Sequence, residues 1–421
     1  MYLVKKIKTH PLIVTLLNLR GNPRACIYTE PLWGLPYQLY IPFASIYMYS
    51  LGLSDVEIGL LLSVSMAVQV FSAFLSGILA DKFGRRTTLF YSDLVSWALP
   101  CLLWAVSQNF WWFLAAAVLN GLSRLSDISW VCLLSEDADQ EKLTEIFTWA
   151  HISGLIAVFV APLSGLLVSK YTLVPVVRGL YLFSALSMAA KAVLFQMYST
   201  ETNHGKIRME ETKNTPIITM TAELGGVFKK IWHSPVILKT LAIMVAMNIT
   251  IYVSGTFFAL LATNEMQLPQ QYLAYLPIIR SGLMLLLLFG AQRLFRGLGF
   301  RFSMISGLVL FIVGQFCLIW GAGNPAHGLL FALGYVVLEA IAFGTVMPQR
   351  DALVARCAPA DERARILAIL NTVMIGGTMP FGYFAGLLSN TDRRLPFVLN
   401  TVLFVGVILI IGLARKGFEE D

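Results

Sequence analysis

The densest switchable chemistry in this 421-residue chain lies in one short stretch, Gly77-Ile78-Leu79-Ala80-Asp81-Lys82-Phe83-Gly84-Arg85-Arg86. One acid stands beside three cations, so these side chains need partners from outside the stretch. Acids are available downstream, where Glu136, Asp137, Asp139 and Glu141 cluster. Charge pairs of this kind do no covalent chemistry. They hold two elements together in one state and release them in another. Gly84 suits a tight reversal, because glycine takes positive φ at no steric cost.

A second set of ionisable residues sits inside apolar runs: Glu30, Arg124, Asp127, Arg280 and Glu339. Charge in hydrocarbon is costly, so each is a functional candidate. Asn120, Arg124 and Asp127 are spaced i, i+4, i+7, which places them on one face of an unbroken helix. With Glu30 opposite, one cation would stand between two acids. The spare carboxylate is then a candidate for taking up and releasing a proton. A static ion-pair brace is the competing reading, and the spacing leaves both open. Arg280 and Glu339 read as a pair across neighbouring helices. Trp33, Tyr37, Gln38 and Asn248 are candidate contacts for a small organic ligand. Thr250 and Gln315 read as interhelical hydrogen-bonding groups. His151 and Lys191 read as locally solvated or snorkelling side chains near span ends.

The elements that must position these residues follow from composition. Hydrophobic residues make up 57% of the chain and charged residues 13%, with a mean hydropathy of +0.71. A soluble domain carries about a quarter charged residues, so the expected class is an all-α membrane protein. A helix needs about 20 apolar residues to cross the hydrocarbon. That length predicts twelve spans, near 25–50, 57–80, 88–107, 110–134, 146–168, 174–198, 236–262, 270–291, 302–320, 327–349, 366–389 and 395–414. With the N-terminus inside, about 23 Lys and Arg fall in inner segments and 4 in outer loops, a strong positive-inside bias. Both termini are therefore expected in the cytoplasm, with the chain in the plasma (inner) membrane. The net charge of +7 reflects this orientation, and no nucleic-acid partner is expected.

The polar stretch from Ser199 divides the chain into an N-terminal six-helix bundle (1–198), a cytoplasmic linker (199–235) and a C-terminal six-helix bundle (236–421). A short amphipathic helix is expected near Leu224 to Trp232. The halves echo each other: Gly154 matches Gly376, and Gly165-Leu166-Leu167 matches Gly386-Leu387-Leu388. A degraded second copy of the opening stretch survives in Gly290, Arg293, Arg296, Gly297, Gly299 and Arg301, without a counterpart to Asp81. The five cysteines show no metal-ligand spacing and are expected as free thiols. The short apolar run Pro11 to Leu17, followed by Asn18 and Arg20, does not fit a cleavable signal. There is no P-loop, zinc spacing or nucleophile elbow, so neither an enzyme nor a cofactor is expected.

The pattern G-x-L-A-D-K-x-G-R-R over Gly77 to Arg86 resembles the loop between helices 2 and 3 of the major facilitator superfamily of secondary transporters. That resemblance implies two pseudo-symmetric six-helix bundles with a mid-depth site between them. It also implies alternating access to a small-molecule substrate, with protons as the coupling ion. One chain already holds both halves, so a monomer is expected to function. In the family, the motif's arginines pair with acids at the end of span 4. Arg85 or Arg86 is thus expected against Glu136 or Asp137. The motif's Asp faces the start of span 11, which would set Asp81 near Arg365. Ala161-Pro162-Leu163-Ser164-Gly165 is similar to the span 5 signature of drug/proton antiporters, with two glycines replaced, and this tilts the reading toward export of amphiphilic compounds. Uptake of a polar metabolite, a lipid flippase and a non-transporting sensor are the alternatives.

Overall fold

Helix dominates the described part of every predicted span. The computed structural model describes residues 11–217, 235–287, 300–356 and 363–413, and no strand occurs among them. The twelve spans lie at 21–50, Asp55–Phe83, Arg85–Val106, 110–135, 143–170, Leu173–Tyr198, Pro235–Asn264, Tyr272–Leu286, Phe300–Ala322, Gly328–Arg356, Arg363–Thr391 and Leu395–Leu413. Eight of the described helices are long and apolar enough to cross a bilayer, and the chain is a multi-pass membrane protein. Two further helices, Pro11–Asn18 and Asn203–Thr212, lie outside the spans. The expected helix at Leu224 to Trp232 lies outside the described residues. So do Gly290, Arg293, Arg296, Gly297 and Gly299 of the degraded motif copy.

Proline explains where the spans are irregular, and polar side chains repair the damage. Pro36 in span 1 has no N–H for the carbonyl of Leu32, four residues earlier. Ser187 of span 6 donates to that carbonyl at 2.7 Å. Pro100 in span 3 frees the carbonyl of Ser96 in the same way, and Asn120 Nδ2 of span 4 donates to it at 3.0 Å. The turn just before Pro100, Leu94–Ala98, is a π-helix. Span 4 breaks at Leu122 and Ser123, between Phe110–Gly121 and Arg124–Ser135. The Gly121 carbonyl at this break accepts from Ser72 Oγ of span 2 at 2.8 Å. Lipid offers no water to a freed carbonyl, so neighbouring helices must supply the donor.

The described chain forms two compact units. The first comprises Met1–Ile41, Val68–Ala161 and Pro175–Glu223. Its core packs Cys26, Leu89, Leu133 and Phe195 together. The second comprises Pro42–Ala67, Pro162–Val174 and Leu224–Asp421. Its core is built on Phe311, stacked on Phe404 at 4.9 Å and edge-on to Phe343 at 5.0 Å. The far ends of spans 1, 2 and 5, away from the Gly77–Arg86 hairpin, thus pack with the second unit.

Two glycines matched by the internal repeat sit at helix crossings inside that second unit. A Cβ on Gly386 would lie 2.7 Å from Asp55 O, and one on Gly165 would lie 2.9 Å from Gln271 O. Gly59 is as confined, since its Cβ would run into Gly382 O and Gly386 Cα. Spans 2 and 11 are therefore in backbone contact. Ser63 Oγ strengthens that seam, donating to Met379 O at 2.6 Å and accepting from Tyr383 N at 2.7 Å.

Candidate functional site

The hairpin between spans 2 and 3 is the first charged centre, and it lies within the first unit. Gly84 turns the chain at φ +87°. A Cβ there would stand 2.5 Å from Glu201 Oε2, so both conformation and space require glycine. Arg85, 4% exposed, reaches Asp81 Oδ1 at 2.9 Å and Glu136 Oε1 at 3.4 Å. The structure thus brings Arg85 and Glu136 together, as the family pattern implies. Arg86 donates instead to the carbonyl of Gln196. Asp137 accepts from Asn203 N and Nδ2, each at 3.3 Å. An added Cβ on Gly77 would make an ordinary 3.6 Å contact with Ile128 Cδ1 of span 4, so packing there does not require glycine.

The linker supplies partners that the sequence reading did not assign. Glu201 accepts from Arg85 N and Arg86 N at 3.0 Å each, placing a carboxylate on the positive end of span 3. Thr202 Oγ1 caps the helix Asn203–Thr212 by accepting from Gly205 N at 2.9 Å, and it donates to Glu136 Oε2 at 2.5 Å. Arg208 takes Asp81 Oδ2 through Nη2 at 2.9 Å and Nε at 3.2 Å. Hydrogen bonds to Asp81 and then Glu211 hold the Arg208 guanidinium above its ordinary pKa, fixing it as a cation. Lys82 Nζ donates to Thr215 O at 2.7 Å. Asp81 is therefore occupied by Arg85 and Arg208. The Arg365 side chain, its expected neighbour, lies outside the described residues.

The second centre lies inside the spans of the first unit. Lys191 Nζ of span 6 meets Asp93 Oδ2 of span 3 at 2.5 Å, with both residues 5% exposed. Glu30 of span 1 is the further charge that acts on both, and the Cys26 thiol sits one turn below it, with Glu30 N donating to Cys26 O at 3.2 Å. Glu30 falls at a joint between the helices Gly21–Thr29 and Pro31–Tyr40. Asp93 is the residue before the π-turn. One turn beyond each acid stands an aromatic: Trp33 and Trp97 meet edge-on at 5.0 Å, and Tyr37 stacks on Trp33 at 5.1 Å. Trp33 Nε1 is buried without an acceptor. Gln38 is half-buried.

This arrangement corrects the expected pairing of Glu30 with Arg124 and Asp127. Arg124 instead holds Asp127 at 2.8 Å and Gln69 at 3.1 Å, and Asp127 is 54% exposed. The physical reason is the break in span 4. Two residues of turn between Gly121 and Arg124 destroy the single face that the i, i+4, i+7 spacing assumed, and Asn120 goes to span 3. A cation acted on by two acids does occur here, but it is Lys191, paired with Asp93 and influenced by Glu30. Asp93 went unassigned and Lys191 read as a snorkelling residue. Their signal was two opposite charges at similar depth, each a turn or two inside a run predicted to span.

The third centre lies in the second unit. Arg280 Nε of span 8 stands 3.4 Å from Glu339 Oε2 of span 10, and its guanidinium lies 4.6 Å over the Phe343 ring. Tyr335 Oη donates to Glu339 Oε1 at 2.8 Å. Asn248 donates to Thr378 Oγ1 at 3.0 Å, joining spans 7 and 11. Asn400 bridges to Ser254 Oγ at 3.1 Å and Gln315 Oε1 at 3.4 Å.

A fourth centre, at the far end of the second unit, was not foreseen. Asp55, 3% exposed, accepts from Ser389 Oγ at 2.6 Å and Arg393 Nε at 3.1 Å. Arg393 also reaches Glu265 at 3.5 Å. Among the described residues no His, Cys, Asp and Glu group could hold a metal ion.

Known proteins resemble this chain in both sequence and fold. The model of the Major Facilitator Superfamily matches residues 33–324. Over 128 residues the chain is 32% identical to the uncharacterized MFS-type transporter YqjV of Bacillus subtilis (strain 168), covering 30% of this chain and 31% of that one. The multidrug resistance protein MdtG of Yersinia enterocolitica is 29% identical over 151 residues, 34% of this chain and 36% of its own. These alignments span about a third of each relative's length. Among solved structures, a point mutant of the nucleoside transporter NupG superposes with a TM-score of 0.74 at 14% identity, covering 94% of this chain and 100% of that one. A bacterial homologue of the iron transporter ferroportin in the inward-facing state gives 0.69 at 13% identity, covering 94% and 99%.

Proposed function

The chain belongs to the Major Facilitator Superfamily, a family of transporters and not of enzymes, and from that premise we propose that it is a proton-coupled secondary transporter exporting amphiphilic organic compounds. The observation that carries this reading is the interior cluster Glu30, Asp93 and Lys191. Asp93 and Lys191 pair at 2.5 Å inside the spans, and Glu30 is a second carboxylate near enough to act on both. One negative charge is left over, and a proton is the ion that neutralises it without a cage of ligands. Glu30 is the half-buried member, while Asp93 is sealed against Lys191. Glu30 is therefore the proton carrier, and Lys191 is the ion-pair partner of Asp93.

Alternating access is supported by contacts that must part. The seam between spans 2 and 11, with Ser63 on Met379 and Asp55 on Arg393 and Ser389, joins the N-terminal and C-terminal parts of the sequence. We assign this end to the outside of the cell, and the hairpin and both termini to the cytoplasm, following the distribution of Lys and Arg. Export is supported by MdtG, whose name describes multidrug resistance, and by the span 5 sequence around Pro162.

Reconstituted vesicles test the reading. They would be loaded in turn with anionic, neutral and cationic dyes and given an acidic exterior. The reading expects at least one dye to leave faster through the wild-type protein. Glu30→Gln should remove the acceleration by acid. Efflux that ignored the pH gradient, or that Glu30→Gln left intact, would contradict proton coupling at this site.

A further inference from the structure

We propose that Arg280 is the anchor for an anionic group of the substrate, a carboxylate, sulfonate or phosphonate. This rests on the transporter reading and names the class of compound that it carries. Arg280 lies in the interior of span 8 and its side chain is 37% exposed. An arginine so exposed at this depth must face water or a ligand, because facing lipid is costly.

Its orientation is fixed and its bonding capacity is left over. Phe343 lies 4.6 Å beneath the guanidinium, which holds the plane while leaving its edge free. The contact to Glu339 is an ion pair at 3.4 Å through Nε, and that nitrogen is buried without a hydrogen bond. Among the described residues no acceptor takes a hydrogen bond from this guanidinium. The four N–H donors of its two Nη groups are therefore pre-placed and unused among the described residues, and a planar or tetrahedral oxyanion matches them two bonds at a time.

Glu339 acts as the internal substitute. It is only 10% exposed. Tyr335 Oη anchors its other oxygen at 2.8 Å, and Tyr335 in turn stacks on Phe258 at 5.4 Å. The carboxylate therefore neutralises Arg280 from a fixed position when the site is empty, without satisfying it. A substrate anion offers the hydrogen bonds that Glu339 does not make. Arg124 does not compete for the role, since Asp127 and Gln69 already take its donors.

The test uses purified full-length protein and three aryl acids: naphthalene-2-sulfonate, 2-naphthoate and 2-naphthylphosphonate. Naphthalene-2-sulfonamide and 2-naphthamide are the uncharged counterparts. Binding is read by thermal shift. At least one acid should stabilise the wild type while its counterpart does not. Arg280→Gln should weaken that binding by at least ten-fold. Arg280→Lys, which keeps the charge and loses the fork, should weaken it several-fold and decides the matter if the first variant does not fold. Glu339→Gln removes the internal anion and should tighten binding about three-fold or more. The proposal is overturned if no acid outdoes its counterpart, if both Arg280 variants bind like the wild type, or if Glu339→Gln leaves binding unchanged. Acid binding that depends on Arg280, in a protein whose vesicles move no dye with the pH gradient, would keep this site and remove the transport reading.

Discussion

The two interior charge centres are built on opposite plans. In the first unit two acids act on one base, and the ammonium is sealed at 2.5 Å against one of them, Asp93. In the second unit one acid faces one base at 3.4 Å, and the base is the more exposed partner. The first centre has a charge left over but little room. The second is neutral and has donors left over. An excess charge in a closed space suits the smallest ion, whereas unused donors at an open edge suit a larger ligand. The contrast assigns the proton to the first unit and the substrate anion to the second.

Breaking the sealed pair should have the largest effect. Lys191→Met leaves Asp93 buried with no cation and should cost roughly 3–5 kcal/mol, whereas Asp93→Asn should cost less, because Glu30 still balances Lys191. The double variant should recover most of that loss. Thermal unfolding in detergent measures both. In the second unit, Glu339→Gln should cost less, about 1–2 kcal/mol, because the half-exposed guanidinium keeps access to water. Equal losses in the two units would erase the contrast between sealed and open centres.

Glu30→Gln sharpens the comparison from the functional side. It should leave the melting temperature within a few degrees of the wild type and remove acid-driven efflux, since Asp93 and Lys191 still neutralise each other. A large loss of stability would make Glu30 a structural member of the cluster.

The supports of the first centre should give smaller effects. Asn120→Ala strands the Ser96 carbonyl freed by Pro100 and should cost about 0.6 kcal/mol, the average for an interhelical bond in a membrane. The expected signature is a shifted pH dependence of efflux, because the π-turn beside Asp93 loses its brace. Smallest of all in stability is Arg208→Ala. Its bond to Asp81 is a part-exposed ion pair, worth about 0.2–1 kcal/mol. Its effect should appear instead as faster labelling of a cysteine placed at Phe83.

The sequence was informative wherever a rule acts over one helix. The twelve spans follow from hydrophobic length, and Arg85 against Glu136 from a motif whose residues are all present. Arg280 and Glu339 were legible because two charges stood alone in two spans. What it obscured depended on breaks in helices and on partners from distant segments. The face carrying Asn120, Arg124 and Asp127 exists only if span 4 is continuous, and Gly121 with the following turn breaks it. Lys191 looked solvated because its partner, Asp93, is in another span nearly a hundred residues away, and nothing local joins them. The helix Asn203–Thr212 has no apolar period to announce it. Its order comes from Thr202, Glu201 and Arg208, each bonded to the hairpin or to the end of span 4. Polar docking of this kind leaves no periodic trace in the sequence.

One measurement tests the division of labour most directly. Vesicles containing the wild type, Glu30→Gln or Arg280→Gln would be loaded with naphthalene-2-sulfonate, which stays charged and does not leak as a neutral acid, and with an internal pH dye. The wild type should lose sulfonate and acidify inside as protons enter in exchange. Glu30→Gln should still bind the sulfonate in detergent but move no protons, and Arg280→Gln should do neither. Proton entry through Glu30→Gln equal to that of the wild type would contradict the assignment of the proton to the first unit.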